Sequence, residues 1–227
     1  MTETPDTEII LTPDLVLQAY SIGVFPMADG REDDHIFWVD PDKRGILPFD
    51  SFHISRRLRK TVRSDHFRVS VNTDFKGVME ACAEDTPNRS STWINDEIID
   101  LYVALHERGY AHSVECYLTD DTGTSLVGGL YGVSMGGAFF GESMFTRVRD
   151  ASKVALVHLV GRLMAGGYKL LDTQFVTDHL AGFGAVEIPR DVYQMRLQAA
   201  LEKAANFYSM PAEVDGSSIL QSITQTS

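Results

Sequence analysis

Two runs decide the fold: Gly128-Gly129-Leu130-Tyr131-Gly132-Val133 with Ala138-Phe139-Phe140-Gly141-Glu142-Ser143, and Lys169-Leu170-Leu171-Asp172-Thr173-Gln174. Both are apolar stretches of strand length that end in a short polar island. Between them, Ala151 to Ala165 reads as a helix, with Ala151, Val154, Ala155, Leu159 and Met164 among its apolar positions and Gly166-Gly167 to stop it. A strand pair joined across Gly136-Gly137, then a crossover helix, then another strand predicts a mixed α/β sheet. Carboxylates are rare inside apolar strands unless paired or used. Glu142 and Asp172 on neighbouring strands would therefore make a site.

Working outward, His112 to Leu118 alternates in polarity, and Asp120-Asp121-Thr122-Gly123 reads as a hairpin turn leading into Leu126 to Val133. Phe67 to Val71 reads as a strand, and Phe75 to Ala83 and Asn95 to Arg108 as helices, the second ended by Gly109. Thr12-Pro13 is a helix start, with threonine as N-cap and proline in the first turn. Phe25 to Pro48 is rich in turn signals such as Asp40-Pro41-Asp42 and Arg44-Gly45 and reads as loop. Residues 1–48 are expected to form a small N-terminal domain and 49–227 a larger one. Met1 to Ile10 reads as a flexible tail, and the Ser/Thr/Gln-rich residues from about 213 to 227 as a disordered one.

The chain has 227 residues, 44% of them hydrophobic and 23% charged, which suits a globular protein with a real core. No apolar run approaches the ~20 residues of a membrane span. The polar, acidic start does not read as a signal peptide. Cys82 and Cys116 fit no metal spacing and are expected to stay reduced in the cytosol, so no metal is expected. The net charge of -12 argues against nucleic acid as a global partner. Locally the balance reverses. Arg56, Arg59, Lys60 and Arg63 fall at i, i+3, i+4 and i+7 of a helix that Ser55 can cap, with Leu58 and Val62 on the other side. Such a face is either solvated or a phosphate-binding ridge.

The candidate residues carry alternatives. The glycine-rich run holds neither a dinucleotide fingerprint nor a P-loop, so it is either a cradle or closely packed strands with a bulge. Glu142 shares a face with Phe140 by alternation; it is either a functional carboxylate or the partner of Arg147, Arg149 or Lys153. Asp172 and Gln174, at i and i+2, share a face. An amide is no base near pH 7, but it can orient a nucleophile and pass hydrogen bonds to a carboxylate. His179 reads as a structural or surface histidine.

At these residues the chain resembles the leucyl/phenylalanyl-tRNA–protein transferase family. The matching blocks are Ala19-Tyr20 with Gly23-Val24-Phe25-Pro26, Phe52 to Arg56, Thr92-Trp93-Ile94, Leu105 to Glu115, Leu126 to Gly132, Phe140 to Phe145, Asp150 to Lys153, Asp172-Thr173-Gln174, Gly184-Ala185 and Glu187 to Arg190. Each is weak alone; the ordered set is specific. The resemblance implies a small N-terminal domain on a GNAT-like acyltransferase domain. It implies transfer of Leu, Phe or Met from aminoacyl-tRNA to the α-amine of proteins beginning with Arg or Lys, whose products are N-end rule degradation substrates. It implies a cytoplasmic enzyme with no cofactor, acetyl-CoA included; a monomer is expected because no long apolar helix face is left over in the sequence.

Carried over residue by residue, Asp172 and Gln174 would ready the attacking amine and Glu142 would hold the cationic acceptor or the aminoacyl amine. Leu130, Phe139, Leu159, Leu163 and Leu171 would form the aminoacyl pocket. Trp93 and Met27 would meet the terminal adenosine, and Arg56, Arg59, Lys60 and Arg63 the acceptor-stem phosphates. The chain departs from common family residues at Met27 and Val39, where Trp is frequent, at Thr173, where Cys is frequent, and at Leu159 and Leu163, where some members carry Phe. An acetyl-CoA-dependent acetyltransferase and a non-catalytic RNA- or protein-binding module are the competing classes. The acidic Asp150 at the start of the crossover helix counts against a pyrophosphate cradle, and a binding module leaves Glu142, Asp172 and Gln174 without a task.

Overall fold

A computed structural model describes residues 11–28, 30, 36–85 and 92–225. The expected N-terminal tail lies outside them. The chain runs α1 (Pro13–Ser21), β1 (Phe25–Ala28), β2 (Ile36–Val39), β3 (Lys43–Ile46), α2 (Arg56–Arg63), β4 (Arg68–Val71), α3 (Phe75–Ala83), α4 (Asp96–Glu107) and β5 (Ala111–Asp120). It continues through β6 (Gly123–Met135), β7 (Ala138–Thr146), α5 (Ala151–Ala165), β8 (Leu170–Gln174), α6 (Asp178–Ala181), β9 (Val186–Pro189), α7 (Arg190–Leu201) and α8 (Gly216–Gln225). Capping residues set several helix starts. Thr12, Ser55, Asp74 and Asn95 each accept a hydrogen bond from a backbone N–H three residues on.

The strands form a two-stranded sheet, β1-β2, and a seven-stranded sheet in the order β4-β5-β6-β7-β8-β3-β9. Only β7 and β8 pair in parallel in the large sheet, as a crossover through α5 requires. This is the mixed α/β sheet expected from the sequence. The segment Phe25 to Pro48, expected as loop, instead supplies β1, β2 and β3. Strand β3 inserts between β8 and β9. Four-residue strands with interleaved turn residues carry too little periodicity to stand out.

The sheet separates two cores. On one face, α5, α2 and α8 cover Val114, Leu130, Phe139 and Leu171. On the other, α1, α3, α4 and α7 cover Tyr131, Val133, Phe140 and Leu170. Helix α5 is buried almost all round, so it needs cover on the side away from the sheet. That cover is α8, which buries Ile219, Leu220 and Ile223 against α5. The disorder expected after residue 213 is thus corrected. The polar composition misled, because one stripe of a polar helix is enough to pay the cost of ordering when a bare apolar helix lies beneath it. Gly128 lets α5 approach: a Cβ there would sit 2.5 Å from the Cβ of Ala151. The glycine-rich run is therefore close packing with bulges. Among the described residues, no helix is long and apolar enough to cross a membrane.

If α8 is an integral part of the core, Ile219→Ala is expected to lower stability by about 2–5 kcal/mol. Urea unfolding checks this; a change within about 0.5 kcal/mol would mean that α8 is dispensable.

Candidate active site

Strands β7 and β8 pair only from Ala138↔Leu170 to Phe140↔Asp172 and then part. Both also bulge at that point. In the β6–β7 register Tyr131 faces Ser143 while Gly132 faces Gly141, so Glu142 is the extra residue. In the β3–β8 register Gly45 faces Gln174 and Ile46 faces Asp172, so Thr173 is extra. Bulges re-aim side chains next to sites. Beyond the Glu142 bulge the alternation inverts: Phe140 and Phe145 lie in one core, whereas Phe139 and Met144 pack into the other.

Gln174 ends β8 in a strained turn. Its φ is +62° and the N–H of Phe175 bonds back to the carbonyl of Thr173 at 2.6 Å, a γ-turn of the unfavourable hand. Gly45 makes room for it, since a Cβ there would lie 2.7 Å from the Phe175 carbonyl carbon. The turn is tied down by Asp172, whose Oδ1 accepts from the Gln174 backbone N–H at 2.7 Å.

Asp172 is fully buried and saturated with donors. Arg44 donates from Nε to Oδ1 and Oδ2 at 3.0 Å each and from Nη2 to Oδ2 at 2.7 Å, and Tyr193 donates to Oδ2 at 2.6 Å. The Arg44 guanidinium lies between the rings of Phe25 and Tyr193, and its Nη1 donates to the Gly23 carbonyl at 3.0 Å. Burial works against the Arg44 charge, but Asp172 beside it outweighs burial and raises its pKa. Burial, with Asp172 next, pushes the Tyr193 phenol well above its ordinary range, so it stays a donor.

Glu142 forms the other half. Tyr20 donates to Oε1 at 2.6 Å, Gln174 Nε2 donates to Oε1 at 3.1 Å, and the Tyr102 hydroxyl lies 3.3 Å from Oε2 and 2.6 Å from that of Tyr20. Burial pushes the Glu142 pKa up to about 7 and the Asp172 charge adds to the rise, while the bonds from Tyr20 and Gln174 oppose it. A half-buried carboxylate of this kind can change its protonation state near neutral pH. Its alternative role as an ion-pair partner is overturned: Arg147 pairs with Glu84, and Arg149 and Lys153 pair with Asp150.

A cavity of about 580 Å³ opens where the strands part. Glu142, Thr173 and Gln174 form polar wall; Leu130, Leu156, Leu159 and Leu171 form apolar wall; Met27 and Trp93 line it from the other side of the sheet. Of the five pocket residues expected from the sequence, Leu130, Leu159 and Leu171 reach the cavity. Phe139 and Leu163 do not line it; they are fully buried in the core behind. Leu156 was missed, although it sits three residues before Leu159 on one helix face. Asp172 does not line the cavity either; it acts on it from behind, through its bond to Gln174 and its charge on Glu142. Arg44, Tyr20, Tyr102 and Tyr193 were missed as site residues. His179, read as structural or surface, lines the cavity half-buried, and among the described residues neither its Nε2 nor the buried Thr173 Oγ1 has a hydrogen-bond partner. On α2, Arg56, Arg59, Lys60 and Arg63 form no ion pair among the described residues, while Arg57 reaches Asp150 at 3.1 Å.

The electrostatics generate a stability prediction. The Glu142 pKa rises on folding from about 4.5 to about 7. Between those values the folded state holds more protons than the unfolded one, so stability falls as pH rises through the window. Glu142→Gln removes this loss. Its melting temperature relative to the parent is expected to be higher at pH 8 than at pH 4.5, by calorimetry at both; a pH-independent difference would refute the shift.

Comparison with known proteins bears on the site. The profile of the leucyl/phenylalanyl-tRNA protein transferase family matches residues 46–198, and that of its N-terminal domain matches residues 10–42. A leucyl/phenylalanyl-tRNA–protein transferase from Maricaulis maris is 59% identical over 93% of this chain and 96% of its own length. Its namesake from Rhodopseudomonas palustris strain TIE-1 is 56% identical over 95% of each chain. The crystal structure of FemX shares the fold, with a TM-score of 0.53 at 11% identity over 82% of this chain and 71% of that one. With identity of this extent across both profiles, the chain belongs to the leucyl/phenylalanyl-tRNA–protein transferase family of aminoacyltransferases.

Proposed function

We propose that this chain transfers leucine, and also phenylalanine or methionine, from aminoacyl-tRNA to the α-amine of proteins that begin with Arg or Lys, so marking them for N-end rule degradation. The observation that carries this reading is the cavity itself: an apolar wall of leucines facing the Glu142–Gln174 pair. The parted β7–β8 pair followed by α5 supports a GNAT-like acyltransferase fold, with a small N-terminal domain that ends before β3 rather than at residue 48, because β3 is a strand of the large sheet. The apolar sides of α5 and α8 are covered within the chain, in keeping with a monomer. A tRNA donor implies a cytoplasmic protein.

The chemistry needs little beyond placement and one proton. An aminoacyl ester is already activated. The acceptor nitrogen attacks its carbonyl carbon, the C–N bond forms, the bond to the ribose oxygen breaks, and a proton passes from the amine to that oxygen. Holding both reactants together supplies much of the acceleration. The Gln174 amide N–H₂ is committed to Glu142, so its carbonyl oxygen is turned to accept from the attacking amine. Asp172, held by Arg44, is the positioning residue that keeps Gln174 in its strained turn. Glu142, poised near neutrality, pairs with the cationic acceptor or the aminoacyl amine. Leu130, Leu159, Leu171 and Leu156 take an unbranched or γ-branched side chain. Trp93 and Met27 face the terminal adenosine, with a thioether at 27 in place of an aromatic platform. The α2 ridge of Arg56, Arg59, Lys60 and Arg63 meets acceptor-stem phosphates.

The decisive test supplies labelled Leu-tRNA with peptides beginning with Arg or Ala, and acetyl-CoA as a separate donor. Label is expected on the Arg peptide alone; acetylation without transfer from tRNA would overturn the reading. Gln174→Ala is expected to lower kcat about a hundredfold with tRNA affinity unchanged, the size of effect a positioned proton-handling group gives. Arg59→Glu with Lys60→Glu is expected to leave kcat near that of the parent while weakening tRNA binding and flattening the slope of log K against log salt by about 2. An unchanged slope would remove α2 from the interface.

A further inference from the structure

The mouth of the cavity carries a second cluster that the transfer chemistry does not use. Lys153, in the first turn of α5, lines the cavity together with Asp150, Thr177 and His179. The His179 Nε2 is buried and has no hydrogen-bond partner among the described residues. The ring is held at one edge by Phe183, with centroids 5.4 Å apart. Lys153 is near enough for its charge to lower the His179 pKa, after burial, which is the larger cause. Lys153 and His179 thus line the same cavity, and in the tautomer protonated at Nε2 the ring offers an N–H that meets no acceptor among the described residues.

The charges around them favour an anion. The Asp150 carboxylate is itself buried and lies within 4.0 Å of Arg57, Arg149 and Lys153, so three cations surround one acid. Its short contact, 3.1 Å, goes to Arg57 on α2, whereas the Lys153 ammonium stands off at 4.0 Å with donors to spare. Asp150 also joins the basic helix to the cavity mouth. Arg57, Arg149 and Lys153 gathered around Asp150 thus carry positive charge from α2 to the cavity wall, next to His179, in a chain whose net charge is -12.

We propose that Lys153 and His179 bind the phosphodiester next to the terminal nucleoside of the donor, which fixes the strand end before its ester reaches Gln174. This rests on the aminoacyl-tRNA reading above. With the base against Trp93 and Met27 on one side of the mouth, the sugar–phosphate backbone runs along the opposite side, where Lys153 and His179 stand. The ligand class is a phosphodiester of single-stranded nucleic acid, recognised by charge and hydrogen bonding without regard to sequence.

The test compares two minimal donors with an Arg-initiated peptide as acceptor: the leucyl ester of adenosine, which has no phosphate, and the leucyl ester of cytidylyl-adenosine, which has one. The quantity read is the ratio of kcat/KM for the second donor to that for the first. Because both are measured on one preparation, partial misfolding cancels. In Lys153→Met and in His179→Ala this ratio is expected to fall about tenfold, the size of one lost charge-assisted contact, and Lys153→Arg is expected to restore most of it. A ratio unchanged in both variants, or a parent enzyme indifferent to the phosphate, overturns the phosphodiester site. A parent that transfers from neither donor, nor from Leu-tRNA, overturns the aminoacyl-tRNA reading itself.

Discussion

The ion pair between Arg44 and Asp172 is the constraint on which the rest depends. Both side chains are almost wholly removed from solvent, at 1% and 0% exposure. Burying two charges costs more than their attraction returns unless every donor and lone pair is satisfied. Here most are: each guanidinium nitrogen donates at least one hydrogen bond and the group packs against the rings of Phe25 and Tyr193, and the carboxylate accepts from Arg44, Tyr193 and the Gln174 backbone. The pair links adjacent strands, β3 and β8, at the place where their register slips by one residue. A leucine pair of similar volume would fill the space, but it would neither select that register nor hold the Gln174 amide.

The strain at Gln174 then has a cause and a consequence. A positive φ at a non-glycine residue costs on the order of 1–3 kcal/mol and persists only where the surroundings over-determine it. The Asp172 bond to its N–H, the carbonyl of Thr173 and the gap left by Gly45 do so. The return is directional. Gln174 turns its side chain to Glu142, which the opposing bulge on β7 brings to the same place. Two bulges and one parting of strands thus make a site from a region that an uninterrupted sheet would fill with hydrogen bonds.

This also explains what the sequence conceals. The crossover helix, the hairpin and the two polar islands are legible because each depends on neighbours a few residues away. Asp172 and Gln174 stand out as polar residues at the end of an apolar strand. Arg44 does not, since its partner lies 128 residues on and its own segment is dressed in turn residues. The bulge at Glu142 is equally hidden: alternation in the sequence runs on through it, and only the partner strand shows that the count has slipped. Phe139 and Leu163 point at the right helix and strand but lie one layer too deep, a depth that periodicity does not encode. For α8, composition outweighed spacing, yet Asp215 at the cap and Ile219, Leu220 and Ile223 in one stripe were there to be read.

Because the cavity passes through the gap between β7 and β8, it draws on both cores at once. The leucines come from the face covered by α5; Glu142, its tyrosines and Trp93 come from the face covered by α1 and α4. Under the proposed reaction this divides the labour. One face sorts the aminoacyl side chain by shape, and can change its preference through Leu159 or Thr173 without touching the proton-handling groups. The other holds those groups in a hydrogen-bonded network whose members lock one another and tolerate little change. The sheet keeps the two at a fixed separation, and the Arg44–Asp172 pair, set at the point where the strands part, fixes the angle between them.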